Sequence, residues 1–398
     1  MIRRMKSTLF LALSAGAAAF AMAEPARADF SSCLVSIRAD AERQGVSGGA
    51  VDAAFAGLQP DMKILDLQNN QPEFKTPIWD YLAGLVDDER IADGKARLNQ
   101  YARVFETAEQ RFGVSRYVIA AVWGVESDYG RTMGKRPLVQ SLATLACFGE
   151  RANYFRGELI ATLKILAHGD IPPDRLVGSW AGAFGQTQFM PSTFLRLAVD
   201  LDGGGKRDIV DSVPDALGST ANYLHHAGWR YGMTWGFEVK LPSGYAGPSG
   251  RKQKAPMSTW AARGLTRVNG QSLGEGEAGL LLPAGPQGPA FLVTSNFDAI
   301  FAYNAAESYA LAIAHLADRL EGAGPFATPW PTDDPGLSRA ERKELQALLA
   351  KRGYDVGEPD GSIGAKTQDA IADFQRKLGR PADGRASTKV LAALRQGT

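Results

Sequence analysis

The segment Ser115-Arg-Tyr-Val-Ile-Ala-Ala-Val-Trp-Gly-Val-Glu126 decides the fold of this chain. The nine residues from Tyr117 to Val125 are all apolar or glycine, and Ser115 can cap a helix that begins directly after it. A helix that is apolar on nearly every side is buried in its domain. The segment therefore predicts a central buried helix that places a carboxyl group at the edge of the core.

That carboxyl group, on Glu126, is the candidate catalytic group. Burial disfavours the ionised form, so we expect the pKa of Glu126 to rise. A carboxylic acid that stays protonated near neutral pH can protonate a glycosidic oxygen and allow it to leave. The segment alone fits equally well a buried glutamate that is paired with an arginine, or a carboxylate that emerges at a helix end.

Further sequence blocks follow this helix in a fixed order. Residues 179–194 read Ser-Trp-Ala-Gly-Ala-Phe-Gly-Gln-Thr-Gln-Phe-Met-Pro-Ser-Thr-Phe, and the later blocks are Ala221-Asn-Tyr223, Gly228-Trp229 and Tyr303-Asn304 with Tyr309. Together with Gly124-Val-Glu126, the ordered set resembles the membrane-bound lytic transglycosylase B family of murein transglycosylases. The resemblance covers about residues 33–320 and implies a lysozyme-like fold that cleaves peptidoglycan glycan strands.

The resemblance also assigns roles to individual residues. Ser179 is expected to hydrogen-bond Glu126 and orient it, and the turn from Gly182 to Gly185 is expected to let the backbone approach a ligand closely. For the aromatic residues, ordinary core packing is the alternative. The residues expected to line the groove are Gln188, Phe189, Met190, Tyr223, Tyr303, Asn304 and Tyr309, with Tyr81 and Arg151 carried over from less distinctive surroundings.

A second carboxylate, which ordinary glycosidases place about 5 to 9.5 Å from the first, is not obvious in the sequence. Asp128 lies two residues after Glu126, so the two do not share a helix face, and Glu150 stands beside Arg151. The family mechanism needs one acid. The resemblance implies that Glu126 protonates the β-1,4 oxygen between N-acetylmuramic acid and N-acetylglucosamine. Its carboxylate is then expected to deprotonate the muramoyl C6 hydroxyl, which closes on C1 as a 1,6-anhydro end. The substrate's 2-acetamido group stabilises the intermediate positive charge.

Two other functions stay open from the sequence. One is a hydrolytic muramidase of the same fold, in which a distant segment supplies the second carboxylate. The other is a non-catalytic scaffold that binds the wall. The near-equal numbers of basic and acidic residues, 44 and 43, argue against a dedicated nucleic-acid-binding protein.

The first 28 residues have the layout of a secretory signal peptide. Arg3, Arg4 and Lys6 precede an apolar stretch at 9–23, and two Ala-x-Ala sites follow. An N-terminal membrane anchor is the alternative, but the stretch is short and no later one approaches the length of a membrane span. We expect a soluble periplasmic protein in which Cys33 and Cys147 form a disulfide, with two separately buried thiols as the alternative.

The fold class predicted from the 398 residues is mainly α (α+β), with more than one domain. A lysozyme-like catalytic domain spans 29–321 and contains a β-rich insertion at 237–300, where glycine, proline and β-prone pieces are dense. A proline-rich linker follows at 322–338.

Residues 339–398 form a separate small unit. Leu345, Leu348 and Leu349 indicate a first helix, Thr367 can cap a second, and a third ends the chain. With its Phe374-Gln375 pair, this three-helix unit resembles the peptidoglycan-binding domain of wall-degrading enzymes. A helical dimerisation module is the alternative.

An acidic loop has the spacing of an EF-hand. Asp200, Asp202, Asp208 and Asp211 occupy positions one, three, nine and twelve, and Gly205 occupies position six. Position five is glycine and position twelve lacks the longer bidentate glutamate, so weak calcium binding and a metal-free turn both fit. The predicted chemistry requires no cofactor.

Overall fold

The computed structural model describes residues 23–68 and 76–396, so most of the predicted signal peptide, residues 1–22, lies outside the described residues. Short 3-10 helices at Met62–Leu67 and Pro173–Arg175 accompany the regular elements. The helices of the larger domain are α1 (Ala23–Arg43), α2 (Gly48–Phe55), α3 (Ile78–Leu85), α4 (Asp88–Gln100), α5 (Ala102–Phe112), α6 (Arg116–Ser127), α7 (Leu138–Phe148), α8 (Ala152–His168), α9 (Pro191–Leu197), α10 (Val213–His226), α11 (Met257–Ala262), α12 (Ser295–Asn304) and α13 (Glu307–Glu321). The mainly helical fold is confirmed.

Helix α6 is the central helix that its sequence predicts. The Ser115 hydroxyl accepts the N–H of Tyr117 at its start, and residues 118–124 are buried. Helix α13, buried along residues 309–317, packs against it. Because both helices are apolar on nearly every side, they can lie in the interior of the same core.

Two hydrophobic cores meet inside the larger domain. The first surrounds α6 and α13, and the second surrounds α7 and α8. Tyr223 and Tyr303 pack against both cores, so they mark the seam between them. The predicted disulfide is present: Cys33 of α1 bonds to Cys147 of α7, with their Cα atoms 5.9 Å apart.

The predicted insertion is a five-stranded antiparallel sheet. The strands of the described chain are β1 (Arg136–Pro137), β2 (Val177–Gly178), β3 (Gly236–Lys240), β4 (Ala255–Pro256), β5 (Thr266–Arg267), β6 (Glu277–Leu281) and β7 (Ala290–Val293). The sheet has the strand order β4-β6-β7-β3-β5, and a separate ribbon pairs β1 with β2.

The helical structure resumes earlier than predicted. The Thr294 hydroxyl accepts the N–H of Asn296 and caps α12, so the β-rich part ends before Ser295 rather than at 300. Helices α12 and α13 are separated at Ala305, which adopts a left-handed conformation with φ 53°.

The C-terminal domain has its own core, formed by α14 (Arg339–Lys351), α15 (Ala365–Lys377) and α16 (Thr388–Arg395). The prediction that Thr367 caps the second helix is wrong: Gly364 stands at the cap, and Thr367 is buried inside α15, where its hydroxyl contacts the carbonyl of Val356. None of the helices in the described ranges is long and apolar enough to cross a membrane.

The proline-rich segment between the domains is docked against the catalytic domain. Phe326 stacks on His315 with ring centroids 3.8 Å apart. The backbone N–H groups of Ala327 and Thr328 each donate to the Glu238 carboxylate at 2.7 Å. These contacts hold the first half of the segment in place.

Candidate active site

A cleft of about 570 Å³ opens at the seam between the two cores. Residues from five separate parts of the chain contribute to it, because Gln68, α6, α8, the 180–190 turn and α12 meet there. Of the residues predicted to line a groove, the cleft contains Glu126, Arg151, Gln188, Met190, Tyr303 and Asn304.

Glu126 lies on this cleft at the last turn of α6, partly buried. The phenol of Tyr309, from α13, donates a hydrogen bond to Glu126 Oε1. Burial and then the nearby Glu126 charge raise the pKa of Tyr309 well above its usual value of 10. Tyr309 therefore stays protonated at neutral pH and remains a donor to the carboxyl group.

Tyr309 and Phe189 are not groove-lining residues, contrary to the prediction. Both side chains are 2% exposed. Tyr309 supports Glu126 from inside the core, and Phe189 packs beneath Tyr223 and Tyr303, with ring centroids 5.9 and 6.0 Å away. These two side chains therefore pack in the core, which was the alternative for each predicted aromatic residue.

Tyr303 lines the cleft, unlike the neighbouring rings of Phe189, Tyr223 and Tyr309. Its hydroxyl donates to the carbonyl of Thr187 at 2.7 Å, and its ring lies 4.6 Å from that of Tyr223. Tyr223 in turn donates to the carbonyl of Ala302 at 2.6 Å. These bonds tie α10 and α12 to the turn that carries Gln188, so they fix the floor of the cleft.

The turn at 179–190 is held by hydrogen bonds of its own. The Ser179 hydroxyl accepts the N–H of Ala183 at 3.0 Å, and its predicted bond to Glu126 stays a prediction. Gln188 donates to the carbonyls of Met133 and Gly185 at 3.2 and 2.8 Å. The amide oxygen of Gln188 is therefore presented from a fixed position at the cleft.

The glycines of this turn make close approaches to the core. A Cβ atom at Gly182 would lie 2.5 Å from Leu142, and one at Gly185 would lie 2.8 Å from Ile209. Both glycines also have positive φ, at 90° and 75°. These glycines therefore approach the second core closely, and the predicted approach to a ligand stays a prediction.

The sequence analysis missed three aromatic residues that line the cleft, namely Tyr154, Phe155 and Trp180. Tyr154 lies one helical turn after Arg151, whose guanidinium sits 4.2 Å from its ring centroid, and Trp180 follows Ser179. Tyr154 keeps 39% of its surface exposed, as a platform for a sugar ring would. Helical spacing from Arg151 was the signal that could have identified it.

The remaining predicted groove residue, Tyr81, is half-buried on α3 and packs against the first core. Its phenol is close enough to contribute to the raised pKa of Tyr309. Tyr81 therefore belongs to the surroundings of the Tyr309–Glu126 pair.

Among the described residues that line the cleft, Glu150 carries the one carboxyl group besides that of Glu126, and it is exposed just after the end of α7. Asp128 is not among the residues that line this cleft, and its carboxylate accepts two hydrogen bonds from Arg339 of the C-terminal domain at 2.7 and 3.1 Å. Asp128 is therefore committed to an ion pair.

The four aspartates of the EF-hand-like loop are not brought together as the sequence spacing predicted. Asp211 pairs with Arg175, and Asp208 accepts the N–H groups of Val210 and Asp211 at 2.8 and 2.9 Å. The carboxylates that do meet, within 4.8 Å of one another, are those of Asp200, Asp202 and Asp215. Asp200 already accepts the N–H groups of Gly203, Gly204 and Gly205.

A carboxyl group held by a buried phenol, at the edge of a helical core and beside aromatic and amide side chains, is suited to break a bond within a bound sugar chain. The fold and cleft thus define a lysozyme-like enzyme that acts on a glycan.

Comparisons with known proteins identify the family. Residues 29–318 match the family described as transglycosylase SLT domain, and residues 338–394 match the one described as putative peptidoglycan binding domain. Membrane-bound lytic murein transglycosylase B of Escherichia coli (strain K12) is 36% identical over 273 residues, which cover 65% of this chain and 73% of that protein.

Two solved structures are also similar. SltB3 from Pseudomonas aeruginosa, in complex with NAG-anhNAM-pentapeptide, is 46% identical, with a TM-score of 0.74 over 92% of this chain and 99% of that one. The Escherichia coli lytic transglycosylase Slt35, in complex with calcium, is 31% identical, with a TM-score of 0.64 over 74% and 92%. The chain therefore belongs to the SLT transglycosylase family, and it is a lytic transglycosylase of peptidoglycan.

Proposed function

We propose that Glu126 performs both proton transfers of a non-hydrolytic cleavage. It protonates the β-1,4 oxygen as the bond from that oxygen to C1 of N-acetylmuramic acid breaks. Its carboxylate then takes the proton of the muramoyl C6 hydroxyl, whose oxygen bonds to C1 and closes a 1,6-anhydro ring. No water is consumed, and Glu126 ends as it began, protonated.

The observation that carries this proposal is the hydrogen bond from Tyr309 to Glu126 on the cleft. A group that works first as acid and then as base has to keep one orientation through both steps. A phenol donor suits this need, because it can bond the carboxyl oxygen in either protonation state. The high pKa of Tyr309 keeps that donor in place.

The substrate we propose is a peptidoglycan strand. SltB3 has been solved with NAG-NAM-pentapeptide as well as with NAG-anhNAM-pentapeptide. The cleft of this chain offers an aromatic surface at Tyr154 and amides at Gln188 and Asn304, which suit N-acetylated sugars. The C-terminal domain would hold the enzyme on the wall and raise the local substrate concentration.

Digestion of purified sacculi separates this function from its alternatives. The proposal predicts muropeptides with anhydro ends, each lighter by one water than the reducing-end product of a hydrolase. Reducing ends would point to a muramidase, and the absence of released products would point to a wall-binding scaffold.

A Glu150→Gln variant tests the hydrolytic alternative, because Glu150 carries the second carboxyl group among the cleft-lining residues that the structure describes. We expect kcat to stay within about twofold of wild type and every product to keep its anhydro end, since a two-carboxylate mechanism would instead lose about 10²-fold or more. Steady-state kinetics on soluble glycan fragments, with mass spectrometry of the products, measures both quantities. A large loss of kcat would favour a muramidase.

We further propose that catalysis needs no metal and that protein hydrogen bonds hold the 200–211 loop. Asp200, Asp208 and Asp211 are occupied by backbone N–H groups or by Arg175, so the EF-hand set is not available as spaced. Dialysis against EDTA should leave the cleavage rate unchanged. Added calcium should change the melting temperature by no more than about 1 °C, since a metal that binds the folded state well would raise the melting temperature further. A rate lost in EDTA and restored by calcium would contradict the proposal.

Export to the periplasm is also proposed. The Cys33–Cys147 disulfide supports it, because such bonds persist in oxidising compartments. The glycan substrate of the family lies in the same compartment.

A further inference from the structure

The chain directly after Glu126 adopts an unusual backbone conformation. Asp128, Tyr129 and Gly130 are consecutive residues with positive φ, at 52°, 57° and 85°. For a residue other than glycine, this region is strained, because the Cβ atom lies too close to the following carbonyl oxygen. Two such residues in succession need support from their surroundings, and they stand two and three positions after the catalytic carboxyl group.

The C-terminal domain supplies part of that support. Arg339, the first residue of α14, donates both terminal guanidinium nitrogens to the Asp128 carboxylate, at 2.7 and 3.1 Å. The side chains of Arg339 and Asp128 are only 10% and 19% exposed. A bidentate pair that is largely shielded from water fixes the carboxylate in both position and orientation.

Residues of the catalytic domain complete the arrangement around Asp128. Arg90 Nη2 lies 3.7 Å from Asp128 Oδ1, and Arg131 Nη1 lies 3.3 Å from Asp128 Oδ2. The Tyr129 hydroxyl donates to the carbonyl of Arg90 at 3.0 Å. Of the three arginines around Asp128, Arg339 belongs to the C-terminal domain. It can stabilise the end of α6 only while the two domains are in contact.

The C-terminal domain also contacts α3, the helix that carries Tyr81. Arg385 donates to the Asp80 carboxylate, with Nη2 at 2.8 Å from Oδ1, and Arg342 donates to the carbonyl of Gly84 at 3.0 Å. Both acceptors are on α3, where Asp80 directly precedes Tyr81. The C-terminal domain therefore contacts α3 as well as Asp128, which directly follows the helix that carries Glu126.

The space between the domains also reaches the catalytic group. A cavity of about 690 Å³ is lined by Glu126 and Asp128 on one side and by Arg339 and Ser362 on the other. A change in how the domains dock would thus alter the environment of Glu126 at close range.

We propose that Arg339 is a positioning residue for the cleavage reaction, which acts through Asp128 on the end of the helix that carries Glu126. The inference rests on the proposed role of Glu126. It gives the C-terminal domain a part in the chemical step that is separate from holding the enzyme on the wall.

A short soluble substrate distinguishes these two roles. A tetrasaccharide of alternating N-acetylglucosamine and N-acetylmuramic acid is free in solution, so tethering to the wall cannot affect its turnover. With this substrate, Arg339→Ala should lower kcat by about 10- to 100-fold, because small misplacements of a catalytic group have effects of this size. KM should change by less than about twofold, since the cleft itself is untouched.

Three further variants make the test specific. Arg339→Lys should recover part of the lost kcat, as it keeps a charge but loses the bidentate geometry. Asp128→Asn, which tolerates the left-handed conformation, should lower kcat as well, and its effect should not add to that of Arg339→Ala. Arg395→Ala is the matched control: Arg395 pairs with Glu344 inside the C-terminal domain and should keep wild-type kcat.

A wild-type kcat for both Arg339→Ala and Asp128→Asn on the tetrasaccharide, with Glu126→Gln inactive, would overturn the positioning role and leave the role of Glu126 intact. An active Glu126→Gln would instead reject the proposed function itself. Melting temperatures of all variants identify any loss that comes from unfolding, and a folded Arg339→Lys or Asp128→Asn still decides the outcome.

Discussion

Replacing Glu126 with glutamine should lower the release of muropeptides from sacculi by about a thousandfold, in the range that loss of a general acid and base produces. The amide has no proton to give to the leaving oxygen and cannot accept one from the C6 hydroxyl. It can still accept the hydrogen bond from Tyr309, so the fold and the cleft should be preserved. Quantitative chromatography of the released products measures the effect.

Binding of the variant to sacculi provides the control. Glu126→Gln should sediment with insoluble peptidoglycan as the wild type does, because the C-terminal domain and the rest of the cleft are unchanged. A variant that binds normally and still cleaves at more than about a tenth of the wild-type rate would show that another group supplies the proton.

Replacing Tyr309 with phenylalanine should lower kcat by about 10- to 100-fold and leave KM nearly unchanged. The phenol is buried inside the core and its hydroxyl donates to Glu126, so the variant removes the orienting bond without opening the cleft. Kinetics on the soluble tetrasaccharide isolate this effect from wall binding.

Tyr245→Phe is the matched control for the loss of a phenol. The Tyr245 hydroxyl donates to the carbonyl of Pro248 at 2.8 Å, within the β-rich insertion. This variant should keep the wild-type kcat. Equal rates for Tyr309→Phe and Tyr245→Phe would mean that the bond to Glu126 does not matter for the reaction.

The sequence predicted those features whose cause is local. The apolar run before Glu126 predicted α6, because burial on every side follows from composition alone. The β-prone segments near residues 237 and 291 form β3 and β7, because their β-branched and aromatic residues favour strands. Positions such as Gln188 and Met190 reached the cleft as the family motif implied.

Features that depend on distant contacts were not predictable in the same way. A motif shows that Phe189 and Tyr309 matter, but not that both lie behind the cleft rather than on it. The EF-hand spacing gave no indication that Arg175, from outside the loop, pairs with Asp211. The bond between Arg339 and Asp128 joins residues 211 positions apart, and no local pattern signals it.

The most direct test of the central claim is digestion of sacculi by the wild-type enzyme in water enriched in heavy oxygen. If Glu126 activates the C6 hydroxyl, the muramoyl ends carry no label and retain the anhydro ring. Heavy oxygen at the muramoyl C1 of newly formed ends would show that water is the nucleophile, and would contradict the account.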